Sequence, residues 1–172
     1  VMGLGNLGAA AARLLSQIGF ATRGWSKSLK TIDGIETFTG KEGLLPFLNG
    51  CQILVNLLPL TSATTGILNA DLFAELPVGA CVINCARGPH LVDDDLMFAL
   101  DTGHIKQATL DVFHAEPLPN EHPFWTHPAI TLTPHIASRI DAETGASLIA
   151  ENLKIFQKTG TCPDVVDAVR GY

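Results

Sequence analysis

Charge is scarce in this sequence. Only 16% of its 172 residues are charged while 47% are hydrophobic, and mean hydropathy is positive. Such a chain buries apolar surface, which excludes a disordered or fibrous class. Basic residues are fewer than acidic ones, and the net charge of −6 argues against a nucleic-acid face. Long apolar runs are missing too. The longest, Ile53 to Leu60, is far too short to span a bilayer, and no signal-peptide pattern opens the chain. Cysteine is limited to Cys51, Cys81, Cys85 and Cys162, with no zinc-ligand spacing. Cys81 and Cys85 lie four apart, which on a strand puts both on one face. Reduced core thiols in a cytoplasmic protein are the expectation, with no metal site. The length suits one well-buried domain.

What is present is alternation. Apolar runs and helical patterns take turns, the signature of an α/β chain with a parallel sheet wrapped by helices. Leu7 to Ile18 reads as a helix, with Leu7, Ala11, Leu14, Leu15 and Ile18 at helical spacing and Gly19 as a stop. Strands are expected at Phe20–Trp25, Cys51–Leu58, Ala80–Cys85, Gln107–Val112 and Ile130–Thr133. Helices are expected at Lys41–Leu48 (weakened by Pro46), Asn69–Leu76, Val92–Leu100 and Asp141–Lys158. The acidic start Asp93 to Asp95 suits the positive end of a helix dipole. Residues His114 to Pro128 hold four prolines and read as a loop. The chain opens on Val1-Met2 directly before a glycine loop, with no room for the strand that should precede it, and therefore reads as a fragment.

Three constellations carry chemistry. The first is Gly3-Leu4-Gly5-Asn6-Leu7-Gly8, a G-x-G-x-x-G opening a helix. Gly3 permits the tight turn, Gly5 lets a pyrophosphate approach the backbone, Gly8 lets the helix pack closely, and the helix N-terminus offers N–H groups. The second follows the next strand. An NAD site places an acid about 20 residues beyond the glycines for the ribose 2′-hydroxyl. Here stand Arg23-Gly24-Trp25-Ser26-Lys27-Ser28, with Lys30 nearby and no acid before Asp33. Hydroxyls and cations suit a 2′-phosphate, so NADP is preferred over NAD; the alternative is an ordinary solvated basic turn. The third joins Arg87, Glu116 and His135, each beyond a different expected strand. Reducing a 2-keto acid needs a cation for the carboxylate, a proton donor to the keto oxygen, and a group that keeps the donor protonated. Arg, His and Glu fill those roles, although each residue alone is more often structural. His90, His104, His114, His122 and His127 lack that context and read as surface or loop residues.

The combination of Asn84…Arg87-Gly88, the stretch from Asp111 to Pro119, Pro134-His135 and the closing Val166-Asp167…Arg170-Gly171-Tyr172 is familiar. Over its whole length the chain resembles the D-isomer-specific 2-hydroxyacid dehydrogenase family, most of all its glyoxylate/hydroxypyruvate reductase A type. The resemblance implies a Rossmann-type doubly wound parallel sheet. Residues 1–138 would form the dinucleotide-binding domain, with its first strand truncated. Residues 139–172 would form a helix and tail leading back to a substrate domain absent from this chain. Arg87 is implied as substrate-binding and electrophilic residue, His135 as general acid/base and Glu116 as its partner. Asp111 is implied to bind the nicotinamide carboxamide and Leu58-Pro59 to line the adenosine side. Gly3, Gly5, Asn6, Leu7, Gly8, Trp25, Ser26, Lys27, Cys85, Ala86 and Arg87 complete the expected cofactor contacts.

The implied activity is NADPH-dependent reduction of glyoxylate or hydroxypyruvate by a cytoplasmic protein, a homodimer at full length. Two alternatives are a dehydrogenase for another 2-keto acid and a dinucleotide-sensing corepressor-like protein. A formate dehydrogenase is disfavoured, because its relatives place Gln where Glu116 stands. With one cleft wall missing, the 172-residue chain alone is expected to be poorly stable and essentially inactive.

Overall fold

Two residues are enough to mark the first strand. In the computed structural model, which describes residues 1–138, 141–163 and 165, Met2 bridges Trp25 on one side and Asn56 on the other, both in parallel. The Met2 N–H donates to the Val55 carbonyl, and the Trp25 N–H donates to the Val1 carbonyl. The short start thus joins β1 (Arg23–Ser26) and β2 (Glu36–Thr39) to β3 (Ile53–Asn56), β4 (Ala80–Asn84), β5 (Ile105–Leu110) and β6 (Ile130–Leu132). All pairings are parallel, in the order β2-β1, then Met2, then β3-β4-β5-β6. Chain order reverses beside the glycine loop, the position at which doubly wound sheets bind ligands.

Successive strand residues face opposite ways, so Val1 and Met2 feed different clusters. Met2 joins Leu54, Val82 and Leu110 beneath Phe47, Phe73 and Leu96, which come from α2 (Leu44–Leu48), α3 (Ala70–Ala74) and α4 (Asp93–Asp101). Val1 joins Leu4, Ile32, Ile35 and Ala12 of α1 (Asn6–Gln17). The second face is thinly covered toward β3 and β4, where Ile53 is 44% exposed and Cys81 and Ile83 are half-buried. Phe73 anchors the well-filled face at 1% exposure. Phe73→Ala should therefore cost about 3–5 kcal/mol, read as a lower urea midpoint at unchanged slope.

The elements differ from the sequence reading in specific ways. β2 was not expected: Glu36-Thr37-Phe38-Thr39 has a single large apolar residue and lies at the sheet edge. The strand expected from Phe20 begins only at Arg23, and Phe20 is exposed. Most of the α1 stripe is turned outward: Leu7, Leu14 and Ile18 are exposed, while Gly8 and Ala12 are buried and Leu15 packs beside them against the second cluster. Asp95 does not serve its own helix alone, since its carboxylate accepts the Ala70 N–H at the start of α3. All four thiols are free; Cys51 is buried, Cys81 and Cys85 are half-buried, and Cys162 is exposed, so only Cys51 is a core thiol.

The chain divides into two compact units, Val1–His135 and Ile136–Tyr172. In the second, α5 (Ala142–Thr159) is capped by Asp141, whose carboxylate accepts the Thr144 N–H at 3.0 Å. It stops at Gly160, in the left-handed conformation with φ 72°. The closing Val166, Asp167, Arg170, Gly171 and Tyr172 lie outside the described residues. Among the described residues, no helix is long and apolar enough to cross a membrane.

Candidate active site

The loop Gly3 to Gly8 is shaped by collisions that side chains would cause. Gly3 has φ +93°, and a Cβ there would stand 2.6 Å from the Leu57 carbonyl oxygen. A Cβ on Gly8 would strike the Gly3 carbonyl oxygen. The third glycine therefore closes the loop on itself, a constraint beyond the helix packing expected of it. At Gly5 a Cβ would meet nothing within 4 Å, and no side chain caps the helix there. The N-terminus of this 12-residue helix is thus open to an anion, with exposed Asn6 and Leu7 in its first turn.

The turn after β1 is held without any acid. Ser26 is buried and its hydroxyl donates to the Ser28 carbonyl at 2.7 Å, while the Lys27 carbonyl accepts from Thr39. The Lys27 side chain is exposed. Trp25 differs from the expectation of a cofactor contact in one respect: its indole is buried in the main core and donates to the Gly40 carbonyl. The Trp25 backbone carbonyl accepts the Gly3 N–H.

β3 and β4 end in register on a pair of buried asparagines, Asn56 and Asn84. The Asn56 amide donates to the Asn84 side-chain oxygen at 3.0 Å, and the two oxygens accept the Leu58 and Ala86 N–H groups. Both strand-end loops, Leu58-Pro59 and Cys85-Ala86-Arg87, are therefore tied to one polar clasp. The sequence reading missed Asn56, although two apolar runs closing on Asn, Leu54-Val55-Asn56 and Val82-Ile83-Asn84, carried the signal. Arg87 is exposed, with its guanidinium donating to the Ala86 carbonyl and its own carbonyl accepting from the Asn84 amide and the His90 N–H.

His90 is a correction. It was expected as a surface or loop residue; it does lie in a turn, yet it is fully buried with both ring nitrogens bonded to backbone. The reason is the turn Gly88–His90, which folds the ring inward beneath Arg87. His104 and His114 bond to the Phe73 and Leu91 carbonyls. His122 approaches Asp93 and His127 approaches Asp101. Among the described residues, no His, Cys, Asp or Glu cluster could hold a metal ion.

Asp111 is buried just beyond β5. Its N–H donates to the Asn84 carbonyl, its carboxylate accepts the Thr133 hydroxyl, and its carbonyl accepts the His135 N–H at 2.8 Å. His135 takes a left-handed backbone, φ 51°. The ring Nδ1 lies 2.7 Å from a Glu116 carboxylate oxygen, and the other oxygen accepts the Phe113 N–H at 3.0 Å. Those donors, His135 first, hold the Glu116 carboxyl below its usual value, and the nearby Arg87 charge acts the same way. Both side chains are part-exposed, 46% for His135 and 36% for Glu116, so a small molecule can reach the ring. An ionised carboxylate, an imidazole with a free Nε2 edge and a guanidinium together can bind an acid and move one proton.

A family model described as the D-isomer specific 2-hydroxyacid dehydrogenase NAD binding domain matches residues 1–137. A glyoxylate/hydroxypyruvate reductase A of Serratia proteamaculans is 49% identical over the whole chain, which covers 55% of that relative. A reductase of the same name from Yersinia enterocolitica is 45% identical over the same span. The chain thus spans about half the length of the curated relatives it matches. Among solved structures, a D-isomer specific 2-hydroxyacid dehydrogenase of Xanthobacter autotrophicus Py2, in complex with NADPH and MES, superposes with a TM-score of 0.95 at 46% identity, covering 99% of this chain and 71% of that one. An NADPH-dependent glyoxylate/hydroxypyruvate reductase of Sinorhizobium meliloti, in complex with NADP and sulfate, gives a TM-score of 0.96 at 41% identity, covering 99% of this chain and 55% of that one.

Proposed function

The chain belongs to the D-isomer-specific 2-hydroxyacid dehydrogenase family, and we propose that it is the dinucleotide-binding part of an NADPH-dependent reductase of small 2-keto acids, glyoxylate and hydroxypyruvate among them. The observation that carries this reading is the Glu116–His135 bond of 2.7 Å, formed at the strand-end edge where Arg87 also lies. Relatives named for the same activity, and related structures holding NADPH or NADP, support it. Residues 1–138 are proposed as the dinucleotide-binding domain, and residues 139–172 as the return to a substrate domain.

The residues fit such a cofactor. Open space at Gly5 before an uncapped helix suits a pyrophosphate. Lys27, exposed and with no acid beside it, suits a 2′-phosphate, and Ser26 would join it by turning its hydroxyl from the Ser28 carbonyl. Leu58-Pro59 and Cys85-Ala86 follow the ends of β3 and β4, and the Asp111 carboxylate, which accepts from Thr133, would accept from a carboxamide. When bound, NADPH supplies the hydride that reduces C2 of the keto acid. Arg87 binds the substrate carboxylate and polarises the carbonyl. His135 donates its Nε2 proton to the oxygen, and Glu116 fixes the ring with Nδ1 protonated.

The test is a set of initial rates for the full-length protein across 2-keto acids with each cofactor. Glyoxylate and hydroxypyruvate with NADPH should lead. Replacing Ser26 by Asp and Lys27 by Ala should turn preference toward NADH, since losing a charge-assisted phosphate contact costs roughly 1.5–3 kcal/mol, about 10- to 150-fold in kcat/KM. Equal use of NADH and NADPH by the wild-type protein would overturn the NADP assignment.

A further inference from the structure

His90 is a buried, titratable side chain that the proposed reaction does not use. It ends the turn Gly88–His90 and is 0% exposed. A lone imidazole at such depth needs partners on both nitrogens, and it has them. Nδ1 accepts the Arg87 N–H at 3.2 Å, and Nε2 lies 3.2 Å from the Pro59 carbonyl oxygen. A carbonyl only accepts, so Nε2 must carry the proton and Nδ1 must be bare. The tautomer is thereby fixed by its neighbours. Burial holds the ring below the ordinary histidine value, which favours the same neutral form.

The two partners are not equivalent. The Arg87 N–H belongs to the residue assigned to the substrate carboxylate. Pro59 belongs to the loop assigned to the adenosine side, and its carbonyl also accepts the Thr64 hydroxyl at 2.7 Å. Around them the backbone is stitched together. The His90 carbonyl accepts the Leu68 N–H, and the Pro89 carbonyl accepts the Gly66 N–H. The Asn56–Asn84 clasp ties the two loops through a pair of side chains, whereas the His90 ring alone bonds directly to both the Pro59 carbonyl and the Arg87 N–H among the described residues.

On the proposed function, we infer that His90 is a positioning residue: as a neutral imidazole it couples the cofactor-side loop at Pro59 to the backbone of Arg87, so that cofactor binding and substrate binding share one rigid support. Its two bonds can be separated. In His90→Asn the side-chain oxygen replaces Nδ1 and can still accept from Arg87, while the link to Pro59 is lost. In His90→Gln the side-chain amide reaches toward Pro59 as a donor, while the acceptor for Arg87 is lost.

The experiment uses the full-length protein and measures the dissociation constant for NADPH, the KM for glyoxylate and kcat for each variant, with melting temperatures recorded alongside. His90→Asn should weaken NADPH roughly three- to tenfold with KM near wild type. His90→Gln should raise KM roughly three- to tenfold, and lower kcat, with NADPH affinity near wild type. A merely structural ring would lower both melting temperatures and would not split the constants. Should either variant fail to fold, the wild-type protein still decides. Its ¹⁵N-histidine spectrum should show a ring protonated on Nε2 with a bare Nδ1, and an Nδ1–H ring overturns the inference. Variants that move both constants alike overturn it as well. A wild-type protein inert with NADPH and every keto acid overturns the proposed function and this inference with it. An active wild type with unsplit variants overturns this inference alone.

Discussion

Gly88→Ala should damage activity far more than the size of a methyl group suggests. A Cβ at this position would run into the Phe113 carbonyl group and the His114 nitrogen. These are backbone atoms that cannot rotate aside, unlike the Leu4 side chain that a Cβ on Gly24 would meet. Gly88 has no unusual φ to explain it, so the requirement is close approach of two chain segments and not backbone freedom. The segments are the ones that matter: Arg87 precedes Gly88, and Phe113 leads into Glu116, which holds His135. Forcing them apart should cost about 1–3 kcal/mol of stability, as overpacking does. Displacement of the guanidinium by about 1 Å should lower kcat/KM about 100-fold. Thermal melts and keto-acid kinetics on the same preparation read both. A Gly88→Ala protein with wild-type kcat/KM would show that the Arg87 and Glu116 segments need not touch for catalysis.

Contacts of this kind explain which parts of the molecule were legible in the sequence. β3 and β4 showed themselves because buried parallel strands are nearly continuous apolar runs, whereas β5 opens on Ile105-Lys106-Gln107, with Lys106 and Gln107 exposed, and was expected only from Gln107 onward. β2 did not show itself, because an edge strand with alternating polar residues, Glu36-Thr37-Phe38-Thr39, carries no such run. The glycine loop and the residues Arg87, Glu116 and His135 were visible because reactive side chains collect where strands end, and strand ends can be counted along the chain. Their meeting was an expectation from topology, realised for Glu116 and His135 by a direct bond. The support beneath them was hidden. Asn56 finds Asn84 through the register of β3 against β4, and His90 becomes buried only after the Gly88–His90 turn folds it inward. Register and burial are tertiary facts, so polar residues among apolar neighbours gave no local sign of their role. The outward stripe of α1 failed for the opposite reason. Helical periodicity identified a face correctly spaced for packing, but the face that packs carries Gly8, Ala12 and Leu15, of which only Leu15 belonged to that stripe.

His135→Ala should depress both reaction directions by roughly 10²–10⁴-fold at every pH, because the only proton donor in the proposed mechanism is gone. NADPH affinity should change little, since His135 lies outside the glycine loop and the turn after β1. Glu116→Gln separates the charge of the partner from its shape. The Glu116 carboxyl is held below its usual value by the His135 and Phe113 donors, so the carboxylate persists through neutral and mildly acidic pH. Its bond to the ring is lost only as pH falls through that lowered value. While ionised, the carboxylate accepts from the ring and holds its orientation. Protonation of the carboxyl weakens that hold, so the reductase rate should fall in acid as pH drops through the lowered Glu116 value. A glutamine keeps one neutral acceptor for Nδ1 and does not titrate. The acid limb that the Glu116 carboxyl contributes should therefore vanish in Glu116→Gln. An acid limb that stays in place in Glu116→Gln, measured as kcat/KM for glyoxylate against pH, would show that the carboxylate does not hold His135, and Glu116 would revert to a loop residue.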